Sequence, residues 1–294
     1  MEVLIGHFRD WLHEQRSTFF GTPFGDHIVS SPFDTYQCIK FSRRGRILTV
    51  TLDRPEAQNA VNGEMHHELA RLFHDINKDP DSDVVVLTGS GRAFCAGGDL
   101  KWLQAAIDDP SIFEEMTREA KRILFGQLEV EKPIIARLNG AATGLGASLA
   151  LLCDVIIAAE GAVIGDPHVS VGLVAGDGGA IIWPQLVGFA RAKQYLLTGD
   201  LLDAAEAERI GLINRVVPQE ELDDAVYGFA ERLAKGATKA IRWTKITTNL
   251  TLKAIAHQIF DTGLAYEALS NLTVDHQEGI DAFRERRKPV YSGR

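Results

Sequence analysis

Chemistry that builds negative charge on an oxygen needs N–H donors fixed in place beforehand, and two stretches of this 294-residue sequence are spelled for that. Ile134 to Leu138 is an apolar run entering a turn with Gly140, Gly144 and Gly146, after which Ala147 to Cys153 reads as a short helix and Asp154 to Ala159 as a second apolar run. Glycine lets a backbone come close to a ligand, and the unpaired N–H groups of a helix start favour an anion. Val84 to Thr88 likewise runs into Gly89, Ser90 and Gly91, followed by Ala96, Gly97, Gly98 and Asp99. One such turn is ordinary punctuation at a strand's end. Two could aim one N–H each at a single oxygen, forming an oxyanion hole. His168 adds a group able to take and give a proton near neutral pH. Asp177, nine residues on, could reach across the loop to fix the imidazole tautomer and stabilise its protonated form. Asp166 is a competing carboxylate, whose simpler role is to form the turn before Pro167.

These residues need a frame. Tyr36 to Phe41 and Ile47 to Leu52 flank Arg43, Arg44 and Gly45 and predict a hairpin; Gly63 to Lys78 carries apolar residues at helical spacing; Val84 to Thr88 is a buried strand. Residues 99–128 predict a helix with Glu114, Glu115, Arg118, Glu119 and Lys121 on its wet face. Helices follow at 178–188, 190–197 and 204–210, then a last strand at Ile213 to Val217, and the pattern from Gln219 to Arg287 is helical almost throughout. The fold class is α/β: an N-terminal extension (1–35), a core (36–220) and a helical C-terminal region (221–294).

Composition narrows the partners. Hydrophobic residues make up 45% and charged residues 24%, as in an ordinary globular protein. The net charge of −9 opposes binding to a polyphosphate backbone, so nucleic acid is not an expected partner. Cys38, Cys95 and Cys153 are scattered and odd in number, which fits free thiols in the cytoplasm better than a disulfide framework or zinc site. His66, His67 and His74 share a predicted helix without a ligand pattern, so no metal is expected. Val3, Leu4, Phe8, Trp11 and Leu12 suggest an amphipathic helix packing on the body or a neighbouring subunit. Neither that segment nor any other has the uncharged apolar length of a membrane span.

Several ordered motifs carry a resemblance: AFCAGGDL (93–100), KPIIARLNGAATGLGASLALLCDVIIAAE (132–160), GLVAGDGG (172–179), LLTGDLLDAAEAERIGLINRVVP (196–218) and EGIDAFRERRKP (278–289). Over about 36–289 the sequence resembles the crotonase (enoyl-CoA hydratase/isomerase) superfamily. The resemblance implies a crotonase-like spiral of ββα units, with C-terminal helices that assemble a homotrimer or homohexamer. By motif position it puts the oxyanion-hole N–H groups on Gly98 and Leu145, where they would hold an acyl-CoA thioester oxygen as an enolate forms. It implies no cofactor, coenzyme A being part of the substrate, and a lyase of fatty acid metabolism.

The departures bear on mechanism. Family hydratases place two catalytic glutamates where this sequence has Ser148 and His168. His168 with Asp177 resembles instead the β-diketone hydrolase branch, the group of 6-oxocamphor hydrolase, which cleaves carbon–carbon bonds by a retro-Claisen reaction. That branch alters the AGGD turn kept here at 96–99 and carries a histidine where this chain has Leu145. The expected activity is therefore of enoyl-CoA hydratase/isomerase type, with His168 and Asp177 replacing the glutamate pair and Ser148 shaping the pocket. Hydrolysis of β-diketones is the alternative, and a non-catalytic acyl-CoA-binding paralogue the second.

Overall fold

Runs of β-branched residues set the centre of the fold. In a computed structural model, which describes residues 32–294, the strands are β1 (Ile39–Arg44), β2 (Ile47–Leu52), β3 (Val84–Gly89), β4 (Ile134–Leu138), β5 (Ala142–Thr143), β6 (Val155–Ala159), β7 (Val163–Gly165), β8 (Leu202–Asp203) and β9 (Arg215–Val217). Six of them form one sheet in the order β1-β2-β3-β4-β6-β9, with β1 antiparallel to β2 and every other pair parallel. β3 is buried at every position, as a parallel strand covered on both faces should be. β5, β7 and β8 form a second, short sheet that the sequence reading did not anticipate; strands of two or three residues leave no periodicity to detect.

The helices are α1 (Gly63–Lys78), α2 (Leu100–Asp108), α3 (Pro110–Glu129), α4 (Leu145–Leu151), α5 (Gly179–Thr198, kinked at Gly188), α6 (Ala204–Arg209), α7 (Leu222–Ala234), α8 (Thr238–Asn271) and α9 (Val274–Glu285). Leu222, Val226 and Ala230 of α7 pack on Ile47, Val84, Val86, Ile135, Ile157 and Val217 of the sheet. Truncating one of these leucines or isoleucines to alanine would cost about 2–5 kcal/mol. Among the described residues no helix is long and apolar enough to cross a membrane.

Three expectations need correction or a limit. The hairpin is present, but its first strand begins at Ile39, because the Glu68 carboxylate takes the N–H groups of Gln37 and Cys38. The helix expected over 99–128 is two helices: Asp109 ends α2 and its carboxylate then accepts from Ser111 N–H to cap α3, with Pro110 at the first helical position. The amphipathic helix expected near the N-terminus lies outside the described residues.

Candidate active site

The two glycine turns are laced together by their backbones. After β3 the chain passes through a loop whose carbonyls are held by amides: Asn59 Nδ2 donates to Ser90 O and Ala93 O, and Asn139 Nδ2 to Gly91 O and Ala93 O, all at 2.9–3.0 Å. Cys95 N–H donates to Ala141 O at 3.0 Å and Thr143 N–H to Cys95 O at 2.9 Å, so the second turn runs beside the first. Val61 N–H donates to Gly97 O at 2.7 Å and Asp99 N–H to Val61 O at 2.9 Å. Gly98 is thus the partner of Val61 in a parallel bridge, and its own N–H faces the other way. Leu145 is the first residue of α4, so its N–H has no acceptor within the helix. Between them Gly144 has φ 56° and ψ −126°, a conformation reserved in practice for glycine. A Cβ there would stand 3.7 Å from Gly97 Cα and 3.6 Å from His168 Cε1. The imidazole therefore sits near the junction of the two turns, with room between them for no more than about one methyl group.

His168 opens a 3-10 turn (His168–Val171), and its ring sits between two acids. Nδ1 is hydrogen-bonded to Asp166 Oδ1, and Nε2 is 3.4 Å from Asp177 Oδ2. Asp177 Oδ1 accepts from Ser148 Oγ at 3.1 Å. The structure thus brings His168, Asp177 and Ser148 together, and it puts Asp166 in the tighter contact. Asp166 is 1% exposed, and its Oδ2 lies where a Cβ on Gly179 would fall, at the start of α5, where the helix dipole favours a carboxylate. Burial works against the His168 imidazolium, but the charges of Asp166 and Asp177 outweigh it and hold the ring well above an ordinary histidine. Burial likewise opposes the Asp177 carboxylate, which the charge and hydrogen bond of His168 nonetheless hold below the usual range.

A fourth titratable group, missed in the sequence, comes from α8. Glu267 is buried, and its Oε2, unpartnered among the described residues, lies 2.7 Å from where a Cβ on Gly176 would stand, next to Asp177. Burial, then the charges of Asp177 and Asp166, push its carboxyl up to about 8, against the partial relief of the His168 charge. At neutral pH the cluster therefore holds a protonated imidazole beside an ionised Asp177, while Glu267 keeps its proton. One ligand atom from each of Asp166, His168 and Asp177 lies within 4.8 Å of the others, so these residues could hold a metal ion. A single ion could use only one ring nitrogen, however, and each already faces a carboxylate.

A second histidine cluster corrects the reading of α3. Glu119, expected on the wet face, is buried: its Oε2 is 2.6 Å from His66 Nδ1 and its Oε1 2.7 Å from His67 Nδ1. His66 also packs on Trp102, with ring centroids 5.0 Å apart, and its charge contributes to lowering Asp177. Trp183 is a core residue, fully buried. Cys95 is fully buried and its thiol pushed up to about 12, chiefly by desolvation, which makes it a poor nucleophile.

A family model described as enoyl-CoA hydratase/isomerase matches residues 42–294. A probable enoyl-CoA hydratase of Mycobacterium bovis is 34% identical over 262 residues, 88% of this chain and the whole of that protein. Among solved structures, an enoyl-CoA hydratase/isomerase from Mycobacterium paratuberculosis superposes with a TM-score of 0.81 at 34% identity, covering 84% of this chain and 99% of the other. A β-diketone hydrolase from the cyanobacterium Anabaena, bound to (S)-3-oxocyclohexyl acetic acid, gives 0.77 at 33% identity, covering 82% and 96%.

Proposed function

Because the chain belongs to the enoyl-CoA hydratase/isomerase family, we propose that it acts on an acyl-CoA thioester, with His168 and its acids doing the work of a pair of catalytic glutamates. The observation that carries this reading is the placement of the His168 ring beside the seam of the two glycine turns, its Cε1 3.6 Å from where a Cβ on Gly144 would stand. The N–H groups of Gly98 and Leu145 would hold the thioester oxygen and the negative charge that reaches it as an enolate forms.

In hydration, water's oxygen bonds to the β-carbon, one water proton must leave, and the α-carbon must gain a proton. The His168 imidazolium gives its Nε2 proton to the α-carbon, and the Asp177 carboxylate takes the proton from water. Passage of that proton across the 3.4 Å between Asp177 Oδ2 and His168 Nε2 restores the starting state. Asp166 keeps Nδ1 engaged throughout, fixing which nitrogen faces the substrate. Ser148 orients Asp177, and Glu267, neutral at pH 7, adds no further negative charge beside it. No step calls for a metal or redox cofactor.

A second reading rests on the buried histidine between carboxylates together with the likeness to the Anabaena enzyme. In it, His168 must first release its proton to solvent; the neutral ring then activates water to attack a ketone, and the leaving enolate occupies the same pair of N–H groups. Turnover of short and medium enoyl-CoA thioesters beside cyclic β-diketones, in the parent and in His168→Ala, decides between the readings. The first expects thioester hydration that falls by about 10²-fold or more in the variant. Diketone cleavage without thioester turnover would replace it with the second, and acyl-CoA binding with no turnover of either class would leave a non-catalytic paralogue.

A further inference from the structure

The turn that carries His168 hangs its carbonyl groups on residues more than a hundred positions later. His276, in the first turn of α9, is fully buried, and its Nδ1 is 2.6 Å from Val171 O, the last residue of the His168 turn. A carbonyl can only accept, so Nδ1 carries the proton. Burial disfavours the charged ring and keeps it neutral, and Nε2 has no partner among the described residues. The neighbouring carbonyl, Ser170 O, accepts from the Tyr291 hydroxyl at 2.6 Å. Backbone meets backbone beside these bonds: a Cβ on Gly279 of α9 would fall 2.7 Å from Val171 Cα, C and O, and one on Gly172 would fall 2.8 Å from Asp275 C and His276 N. Farther along the same loop, Val174 N–H donates to Ser270 Oγ at 3.1 Å.

We propose that His276 and Tyr291 are positioning residues for His168, fixing the placement of its ring through the carbonyls of Val171 and Ser170. Neither touches the imidazole; they act on the backbone that aims it. The constraint matters because His168 Nε2 has only a 3.4 Å approach to Asp177, and a shift of the turn opens or closes that gap directly. The proposal rests on the reading of His168 as the proton-transfer group.

The test compares the parent with His168→Ala, His276→Asn, His276→Leu and Tyr291→Phe on one substrate. It reads kcat and KM separately, thermal stability, and the NMR titration of the His168 ring. Misplacing a catalytic group by about 1 Å can cost about 10²-fold, so Tyr291→Phe is expected to lose about 10-fold in kcat and His276→Leu more, each with KM within about twofold. The His168 ring should titrate lower in both as its acids loosen. In His276→Asn, whose amide N–H can replace Nδ1–H, both properties should recover. The proposal is overturned if folded Tyr291→Phe and His276→Leu keep kcat within about twofold, if asparagine restores no more than leucine, or if the His168 titration does not move. Should His276→Leu fail to fold, Tyr291→Phe and His276→Asn decide alone. Turnover that survives His168→Ala refutes the role given to His168, and the ring titration then still tests the positioning.

Discussion

Replacing Glu267 by glutamine should leave stability little changed at low pH and raise it progressively as pH rises. The carboxyl is held at about 8 in the folded chain against an ordinary value of 4.5. Below 4.5 the folded and unfolded states both keep the proton. Between the two values only the folded state does, so its stability falls as pH rises, by about 1.4 kcal/mol per pH unit, and above 8 the loss is complete. The loss totals about 5 kcal/mol, a large share of the 5–15 kcal/mol by which a typical domain is stable. Glutamine is neutral at every pH and escapes it. Urea unfolding of the parent and Glu267→Gln from about pH 5 to about pH 9 should therefore show a gap that widens with pH in favour of the variant. New hydrogen bonds from the amide would add a constant offset, so the change in the gap is the quantity to read. A gap that stays the same from one end to the other would refute the buried neutral acid.

Two further substitutions probe the same cluster. Asp166→Asn removes the carboxylate on His168 Nδ1, so the ring should lose its proton at lower pH and the limb of the kcat profile governed by the imidazolium should move the same way. Asp177→Asn should move it less, and NMR titration of the ring would expose the opposite order. Gly144→Ala forces an L-residue into φ 56° and ψ −126°, at a cost of about 1–3 kcal/mol. Its Cβ would meet His168 only at ordinary contact distance, so the damage is to the aim of the Leu145 N–H. Thermal denaturation and kinetics should show lower stability together with a kcat loss of about 10-fold or more.

What could be read in the sequence was what depends on near neighbours. Turns declare themselves through glycine, because the strained backbone at Gly144 and the helix start at Leu145 are set within a few residues. His168 and Asp177 were visible as a pair because they share one loop. Asp166 was visible as a competing carboxylate or a turn residue: whether its carboxylate returns to the ring two residues on depends on the 3-10 turn and on the close fit of Oδ2 against Gly179. Glu267 left no signal. It lies 90 residues beyond Asp177 on a 34-residue helix that mixes polar and apolar residues around its circumference, and only packing against Gly176 selects the face that is buried. Glu119 misled for the same reason, standing among charges that are in water while His66 and His67 draw it in from α1.

On the proposed reading, the charge arrangement would let such a site do without the glutamate pair. A glutamate pair must divide one proton between two groups of similar intrinsic affinity, which requires environments that push them apart. Here the division is built into the residue types. An imidazole between two buried aspartates keeps a proton at neutral pH, while Asp177 beside it stays ionised. The groups proposed as proton donor and acceptor thus lie 3.4 Å apart. An ionised Glu267 would add a further negative charge to the buried cluster, and it avoids this by holding its proton. The arrangement depends on burial: opening the loop to water would bring the Glu267 carboxyl down toward its ordinary value and weaken the hold of both aspartates on the ring. On the proposed reading, the grip of the C-terminal helices on that loop therefore bears on the acid–base chemistry as well as on the fold.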